Sequence, residues 1–295
     1  MNRLSSEKRG AVVAALVEGN SIRSTVRMTG VSKNTVMKLL SDLGLVCSIY
    51  MDAAMRDLSC ERVQCDEIWS FVGAKHKNTT PEKRADGWGD VWTWVAIDPD
   101  TKLVPSYHVG PRDLREATAF MQDLAGRLRN RVQLTTDGHR PYLLAVKGAF
   151  GGAVDYAQLV KLYGNDSNPS KPEKRYSPGV CIEAIPAPVS GDPDPDHIST
   201  SHVERQNLTM RMSMRRYTRL TNAFSKKLEN HTAAVSLHFM HYNFCRVHQT
   251  LKTTPAVAAG VTDHVWKLSE LIALLENAEN AVPMRRGPYK KRSAQ

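Results

Sequence analysis

Three carboxylates, Asp66, Asp137 and Glu204, occupy positions that predict metal chemistry. Asp66 lies in the strand-like run QCDEIW, Asp137 ends the run VQLTTD, and Glu204 lies near the start of a long helical pattern. Carboxylate oxygens are ligands that Mg²⁺ and Mn²⁺ prefer, and nucleic-acid phosphates can complete their coordination. Two such ions about 4 Å apart activate a water or a 3′-hydroxyl and stabilise the leaving oxygen. The three residues are therefore candidate catalytic residues and metal ligands.

Glu67 follows Asp66 directly, and we expect only one of the two to join this site. Neighbouring side chains of a strand point to opposite faces of the sheet. A carboxylate in an apolar strand is costly to bury unless it is paired or bound to metal. The pattern therefore predicts Asp66 as the ligand and places Glu67 on the other face.

Several other classes of enzyme and of cellular location are disfavoured by missing motifs. The sequence has no GxSxG, Walker loop or HExxH motif. Its five cysteines form no CxxC pair, which predicts reduced thiols rather than a disulfide framework or a zinc ribbon. The first residues lack the apolar run of a signal peptide, and no apolar segment reaches the roughly 20 residues that cross a bilayer. We expect a cytoplasmic, nucleoid-associated protein with no membrane partner.

The formal net charge of +10 is concentrated in three regions. Residues 1–50 contain seven basic and three acidic residues, residues 201–255 contain nine and two, and residues 281–295 contain five basic residues and no acid. Such clustering predicts a nucleic-acid partner before a membrane. The basic tail, residues 281–295, is predicted to be disordered, and it either contacts DNA phosphates or is simply solvated.

Residues 1–48 predict a small all-α domain. Three short helical patterns end at Gly19, Gly30 and Gly44, and serines precede the first and third of them. Two short helices joined by a turn that contains glycine are typical of a helix-turn-helix. A three-helix bundle used for dimerisation is the alternative.

A helix-turn-helix would read DNA through the N-terminal residues of its second helix, which enters the major groove. In this sequence that helix begins near Ser32, and its first polar residues lie off the apolar stripe. The predicted DNA-binding residues are Ser32, Lys33, Asn34, Thr35 and Lys38.

Residues 58–260 predict a mixed α/β catalytic domain in the order β-β-β-α-β-α-β, followed by helices that pack on the sheet. Within it, residues 164–200 are rich in Pro, Gly, Ser and Asp, so we expect an irregular insertion there. Residues 261–280 predict a C-terminal helix.

Residues 201–227 read as one long helix with a single acid, Glu204, ahead of seven basic residues. At 100° per residue, Arg211 and Arg215 fall on the same stripe as Glu204, which predicts that both arginines bind DNA phosphates. Another interpretation is that Glu204 only caps the helix or balances its charge. The opposite, packing face consists of Val203, Met210, Met214, Tyr217 and Phe224.

Four stretches resemble the insertion-sequence-one family of bacterial transposases, which belongs to the DDE transposase and integrase superfamily. They are CDEIWSFVG, TTDGHRPY, SHVERQNLTMRMSMRRYTRLTNAFSKK and HYNFCRVHQTLKTTPAVAAG. The resemblance implies an RNase H-like domain after the helix-turn-helix, with Asp66, Asp137 and Glu204 as the metal-binding triad. It also implies two Mg²⁺ or Mn²⁺ ions, and it assigns the basic residue two turns after the glutamate to Arg211.

The activity implied by this resemblance is DNA cleavage at the ends of an insertion sequence, followed by transfer of the freed 3′-hydroxyl into target DNA. The implied partners are double-stranded DNA, as terminal inverted repeats and as target, and further copies of the chain in a homo-oligomer on DNA. The sequence departs from the family in lacking the cysteine pairs of an N-terminal zinc-binding segment. A DNA-binding regulator without activity, or a nuclease of the same fold that cuts without joining, is the alternative.

Overall fold

The first and third helices begin at the predicted serine caps. The computed structural model describes residues 3–164, 181–218 and 221–281, and helices α1, α2 and α3 span Ser6–Val17, Ile22–Thr29 and Lys33–Ala54. The hydroxyls of Ser5 and Ser32 accept hydrogen bonds from the backbone of the first helical turns. These helices are as expected at their starts, whereas their identity as a DNA-binding domain stays a prediction.

Gly44 does not end the third helix, so this prediction is wrong. The glycine is buried in the middle of α3, where that helix packs along α8, Leu228–Met240. A Cβ at Gly44 would lie 2.6 Å from the Cβ of Ala233. The glycine therefore permits a close approach of two helices, and it costs α3 only helix propensity.

The predicted α/β class is confirmed by a mixed sheet that has six strands in the described part of the chain. Its order is β3-β2-β1-β4-β5-β6. The pairs β1–β2, β2–β3 and β5–β6 are antiparallel, whereas β1–β4 and β4–β5 are parallel. The strands β1 to β6 span Arg62–Val72, Gly89–Ile97, Tyr107–Gly110, Val132–Asp137, Val154–Tyr163 and Cys181–Ser190.

Helices cover both faces of this sheet. Helices α4 to α7, α9 and α10 span Pro81–Ala85, Leu114–Ala125, Pro141–Phe150, Ser201–Ser213, Pro255–Ala258 and Leu268–Ala281. On one face, Trp94 of β2 packs against Phe120 of α5 and Tyr142 of α6. On the other face lie α7 and α8, and α3 packs along α8. Helix α10 packs on α3 and α1.

Residues 164–200 are less irregular than predicted, because β6 lies within them. This strand pairs antiparallel with β5, and the partners of Leu159 and Ala157 are Pro186 and Pro188. Prolines are tolerated on an edge strand, where a missing N–H can face away from the sheet. The proline content therefore misled the prediction; residues 165–180 of this segment lie outside the described residues.

The single long helix predicted over residues 201–227 is also wrong. Helix α7 ends at Ser213, Met214 is extended, and a 3₁₀ turn follows before α8 begins at Leu228. The break brings the Tyr217 hydroxyl into the core, 2.5 Å from the Thr93 hydroxyl. The predicted packing residues are nevertheless buried up to Tyr217. Of the predicted C-terminal tail, residues 282–295 lie outside the described part.

Candidate functional site

Two of the predicted carboxylates meet where the pairing between the parallel strands β1 and β4 ends. The last pair between β1 and β4 is Cys65 with Thr136, so Asp66 and Asp137 are the next residues in register. Residues in register on parallel strands share a face of the sheet. Asp137 is also the last residue of β4. The register of the hydrophobic strands β1 and β4 thus places both carboxylates side by side, where the pairing of these two central strands ends.

Glu204 reaches the same place from α7, which β1 holds by two side chains. The Gln64 side-chain oxygen accepts hydrogen bonds from the backbone N–H groups of His202 at 2.9 Å and Val203 at 3.3 Å. It therefore caps the start of α7. One turn later, the Asn207 amide donates to Asp66 Oδ2 at 2.8 Å. The helix that carries Glu204 is fixed to the strand that carries Asp66.

Asp66, Asp137 and Glu204 together line a cleft of about 700 Å³, which we name the acidic cleft. Glu204 Oε1 accepts a hydrogen bond from Thr200 at 2.7 Å and forms an ion pair with Lys161 of β5. The Glu204 side chain is 45% exposed. The structure thus brings the three predicted residues to one cleft, with Glu204 at its solvent side.

Glu67 lies in the same cluster of carboxylates as Asp66 and Asp137, which the argument from alternation did not predict. One carboxylate oxygen each from Asp66, Glu67 and Asp137 lie within 4.8 Å of one another. The Glu67 side chain leaves β1 on the face opposite to that of Asp66. Because Asp137 is the last residue of β4, the longer Glu67 side chain can approach the Asp137 carboxylate past the end of that strand. The Glu67 side chain is 1% exposed, and neither of its oxygens has a hydrogen-bond partner among the described residues.

Arg112 compensates part of the negative charge of this cluster. Its Nη2 donates to Asp137 Oδ2 at 3.3 Å and lies 3.3 Å from Glu67 Oε2. The guanidinium also lies over the ring of Trp92, 5.0 Å from its centroid. Arg112 follows β3 and precedes α5, so only the fold brings it to residues 25 and 45 positions away in the sequence. No pattern in the sequence indicated it.

Burial and mutual repulsion favour the protonated forms of two of these acids. Burial, then the nearby Asp137, raises the pKa of Asp66 to about 7. Burial, again followed by Asp137, raises the pKa of Glu67 to about 8, although Arg112 opposes the shift. A cluster that holds protons so firmly is short of positive charge.

The chemistry of this donor set fits a divalent ion. Three carboxylates lie close enough to share one cation, their oxygens are hard donors, and both oxygens of Glu67 can still accept. Glu204 faces the same cleft and could hold a second ion with Asp66. Asp66, Asp137 and Glu204 stay predicted catalytic and metal-binding residues, and Glu67 joins them as a candidate ligand.

The predicted DNA-binding residues are only partly available to a ligand. The Ser32 hydroxyl caps α3 and lies 2.9 Å from the Thr35 hydroxyl, so both are used locally. Lys33, Asn34 and Lys38 are exposed, and Lys38 forms an ion pair with Asp42 in the next turn. The first two can therefore reach a ligand without breaking a described contact, and the DNA-binding role of all five stays a prediction.

Arg211 and Arg215 do not share one helical stripe, which corrects the prediction made for them. Arg211 is half-buried in the last turn of α7, and Arg215 is exposed in the 3₁₀ turn beyond the end of the helix. The residues that sequence reasoning missed are Gln64, Asn207 and Lys161, besides Arg112. Two of these four residues could have been found from their positions in the sequence, because Gln64 is two residues before Asp66 and Asn207 is one turn after Glu204.

No protein-family model matches this chain, and no curated protein matches it significantly. Within the described residues, none of the helices has the length and apolar character needed to cross a membrane.

Proposed function

We propose that this protein is a divalent-metal-dependent DNA transposase with an RNase H-like catalytic domain. The observation that carries the proposal is the acidic cleft, in which Asp66 and Asp137 from neighbouring parallel strands face Glu204 from α7. The mixed sheet with helices on both faces supports it, as does the clustered positive charge of the sequence. The proposed partners are the terminal repeats of an insertion sequence and a target DNA.

In this proposal, each residue of the cleft has a role that its contacts support. Asp66 and Asp137 hold Mg²⁺ or Mn²⁺ from the sheet, and Glu204 holds the ion from the helix. When bound, the ions supply an activated water or 3′-hydroxyl and stabilise the leaving oxygen. Asn207 orients the Asp66 carboxylate through its 2.8 Å hydrogen bond. Gln64 fixes the first turn of α7, and with it Glu204, against β1.

The basic side chains of the cleft receive the DNA. Arg112, Arg140 and Lys161 line it beside the carboxylates, where each can contact a phosphate. In cleavage, the water oxygen forms a bond to phosphorus and the bond to the 3′-oxygen of the element breaks. In strand transfer, that 3′-hydroxyl forms a bond to a target phosphorus, and a 3′-hydroxyl of the target leaves. In the first step one proton of the water passes to the leaving 3′-oxygen and makes the 3′-hydroxyl, and in the second step the proton of the attacking 3′-hydroxyl passes to the leaving 3′-oxygen of the target.

The test is to incubate the full chain and Mn²⁺ with labelled DNA from both flanks of its gene. Joined products support a transposase, cut products without joining indicate a nuclease of the same fold, and binding without products indicates a regulator. Glu204→Gln should lower cleavage by about a thousandfold or more while DNA binding persists. Glu61→Gln, at an exposed position just before β1 and remote from its cleft end, is the matched control and should cleave normally. Cleavage by Glu204→Gln at the normal rate would refute the assignment of the site.

A further inference from the structure

A second large recess, which we name the basic crevice, lies at the other end of α7. It has a volume of about 720 Å³, and its walls are the α1–α2 turn, the start of α3, residues 213–216 and 221–226, and one side of α8. Five of its described lining residues are basic and none is acidic: Arg23, Lys33, Arg215, Arg216 and Lys226. Such a lining is electrostatically complementary to an anion.

Arg216 is the deepest charge of this crevice and has little to balance it. Its guanidinium is half-buried and donates a 2.6 Å hydrogen bond to the Ser225 hydroxyl. No carboxylate lies within ion-pair distance of Arg216 in the described part of the chain. Burial lowers its pKa to about 10, so it is still charged at neutral pH. Buried charges in proteins are ordinarily paired, which indicates that an anion completes this site.

His238 supplies a second polar group that lacks a partner. It is 7% exposed and lines the crevice, and its Nε2 has no hydrogen-bond partner among the described residues. The imidazole is held by its ring contacts with Phe239 and Tyr242. Burial lowers its pKa to about 3, so it is neutral, and its free nitrogen can bond a polar atom of a ligand.

The remaining lining is largely apolar and suits a flat ring. Met37 and Leu40 of α3 and Phe224 of the segment after α7 lie on this surface. A ligand that matches the crevice therefore carries a phosphate at one end and a ring with polar edges at the other. A small inorganic anion would leave the apolar surface and His238 unused, and an acidic peptide would offer no ring.

We propose that the basic crevice binds a nucleoside phosphate. Arg216, with Arg23 and Lys33 at the mouth, contacts the phosphate, and the base lies on the apolar surface within reach of His238. This site is separate from the acidic cleft, and it rests on the proposed function only for the source of the nucleotide. That source is either a nucleotide turned out of a DNA strand or a free nucleotide.

The experiment measures binding to the full chain in EDTA, where metal-dependent cleavage cannot occur. Titration calorimetry compares dAMP, deoxyadenosine and inorganic phosphate. We expect dAMP to bind more tightly than either part alone. Arg216→Gln should weaken dAMP and phosphate binding by about tenfold, because it removes a charge-assisted hydrogen bond. His238→Phe keeps the ring contacts and should reduce only the preference for dAMP over phosphate.

Two further variants keep this test decisive if Arg216→Gln fails to fold. The double variant Arg23→Gln, Lys33→Gln changes two exposed residues at the mouth and should also weaken dAMP binding. Arg129→Gln removes an exposed arginine elsewhere, before β4, and should not. Unchanged dAMP binding in the double variant, or binding of hexaglutamate as tightly as dAMP, overturns the proposal.

Competition then identifies the source of the nucleotide. If a duplex with one unpaired adenosine displaces dAMP and a fully paired duplex does not, the crevice receives nucleotides from DNA. If neither duplex displaces bound dAMP, the ligand is a free nucleotide. Because these measurements need no metal, a failure of the chain to cut DNA with Mn²⁺ would refute the proposed function and leave this result intact.

Discussion

The two ends of α7 lie beside surfaces with different charge patterns. At the N-terminal end, Glu204 faces the acidic cleft, where three carboxylates lie among three basic side chains, and at the other end Ser213 borders the basic crevice, whose described lining has no acid. The nine helical steps from Glu204 to Ser213 correspond to about 14 Å of helix. In the acidic cleft, Asp66 and Glu204 are each held by a hydrogen bond, from Asn207 and Thr200. In the crevice, by contrast, Arg216 has one described hydrogen bond.

The difference shows what each surface lacks. The cleft concentrates carboxylates on strands and a capped helix, where burial and then repulsion raise the pKa of Asp66 and Glu67, so these buried carboxylates are short of positive charge. The crevice is lined by an irregular segment and by helix ends, and its described lining has no acid. Preorganised carboxylates suit small cations, and spaced basic side chains suit the phosphate of a larger ligand. A divalent ion and a nucleotide would therefore stabilise different ends of α7.

The largest effect that separates the two surfaces is expected from Gly19→Ala. Gly19 lines the basic crevice with φ of +78°, and a Cβ there would lie 2.8 Å from the Ser213 carbonyl oxygen. Strain in the left-handed region and this overlap together should cost about 3 kcal/mol of unfolding free energy. We expect weaker dAMP binding and unchanged Mn²⁺ affinity, measured by calorimetry beside urea denaturation.

Gly30→Ala is the matched control for this prediction. Gly30 has φ of +68°, but nothing lies within 4 Å of an added Cβ, so the backbone strain alone should cost about 1 kcal/mol. Equal destabilisation by the two substitutions would show that the contact with Ser213 is unimportant. A loss of Mn²⁺ affinity in Gly19→Ala would show that the two ends of α7 are coupled.

The next effect is a fall in stability of the metal-free protein as the pH rises from 6.5 to 8. The native pKa values of about 7 for Asp66 and about 8 for Glu67 lie above the unfolded values near 4. The native state therefore binds more protons in this range, and the free energy of unfolding should decrease by about 2 kcal/mol. Denaturation in EDTA at several pH values measures this decrease, and saturating Mn²⁺ should remove it.

Two buried histidines oppose part of this decrease at the lower end of the range. Burial lowers the pKa values of His231 and His238 to about 3, so near pH 6.5 their unfolded forms bind protons that the native forms do not. That contribution makes stability rise with pH, and it is nearly complete at about pH 7.5. Stability that stayed constant between about pH 7.5 and 8 in EDTA would mean that the acidic cleft is not short of positive charge.

The sequence predicted those features of the cleft that depend on a local pattern. The strands around Asp66 and Asp137 are apolar runs bounded by turns, and their ends lie where expected. Once β1 pairs with β4 in this register, Asp137 at the end of β4 comes next to Asp66 within β1, whatever surrounds them. The buried residues of α7 also follow from its periodicity, because Val203 and Met210 face the core.

Features that depend on a distant partner could not be predicted. Gly44 ends a helix by local rules, yet Ala233 of α8 requires a glycine in mid-helix. The helix over residues 201–227 breaks because the Tyr217 hydroxyl meets Thr93 and His231 in the core. The alternation of side chains predicted that Glu67 would not join the site of Asp66. That argument takes no account of the length of the glutamate side chain or of the residue at which the neighbouring strand ends.

Glu67→Gln tests that last point and is the smallest of these effects. If Glu67 contacts the ion bound by Asp66 and Asp137, the substitution should weaken Mn²⁺ binding by about tenfold, as expected when one supporting group of a metal site is lost. In EDTA at pH 8 it should instead stabilise the protein, because a buried carboxylate with a pKa of about 8 becomes a neutral amide. It should also remove the part of the pH dependence that comes from Glu67, which is greatest near pH 8, and leave the part that comes from Asp66. Calorimetry with Mn²⁺ and urea denaturation in EDTA measure the two effects, with Glu61→Gln as the control that changes neither. Greater stability with unaltered Mn²⁺ affinity would assign Glu67 to holding Arg112 rather than the ion, and the cleft would then contain only the three carboxylates predicted from the sequence.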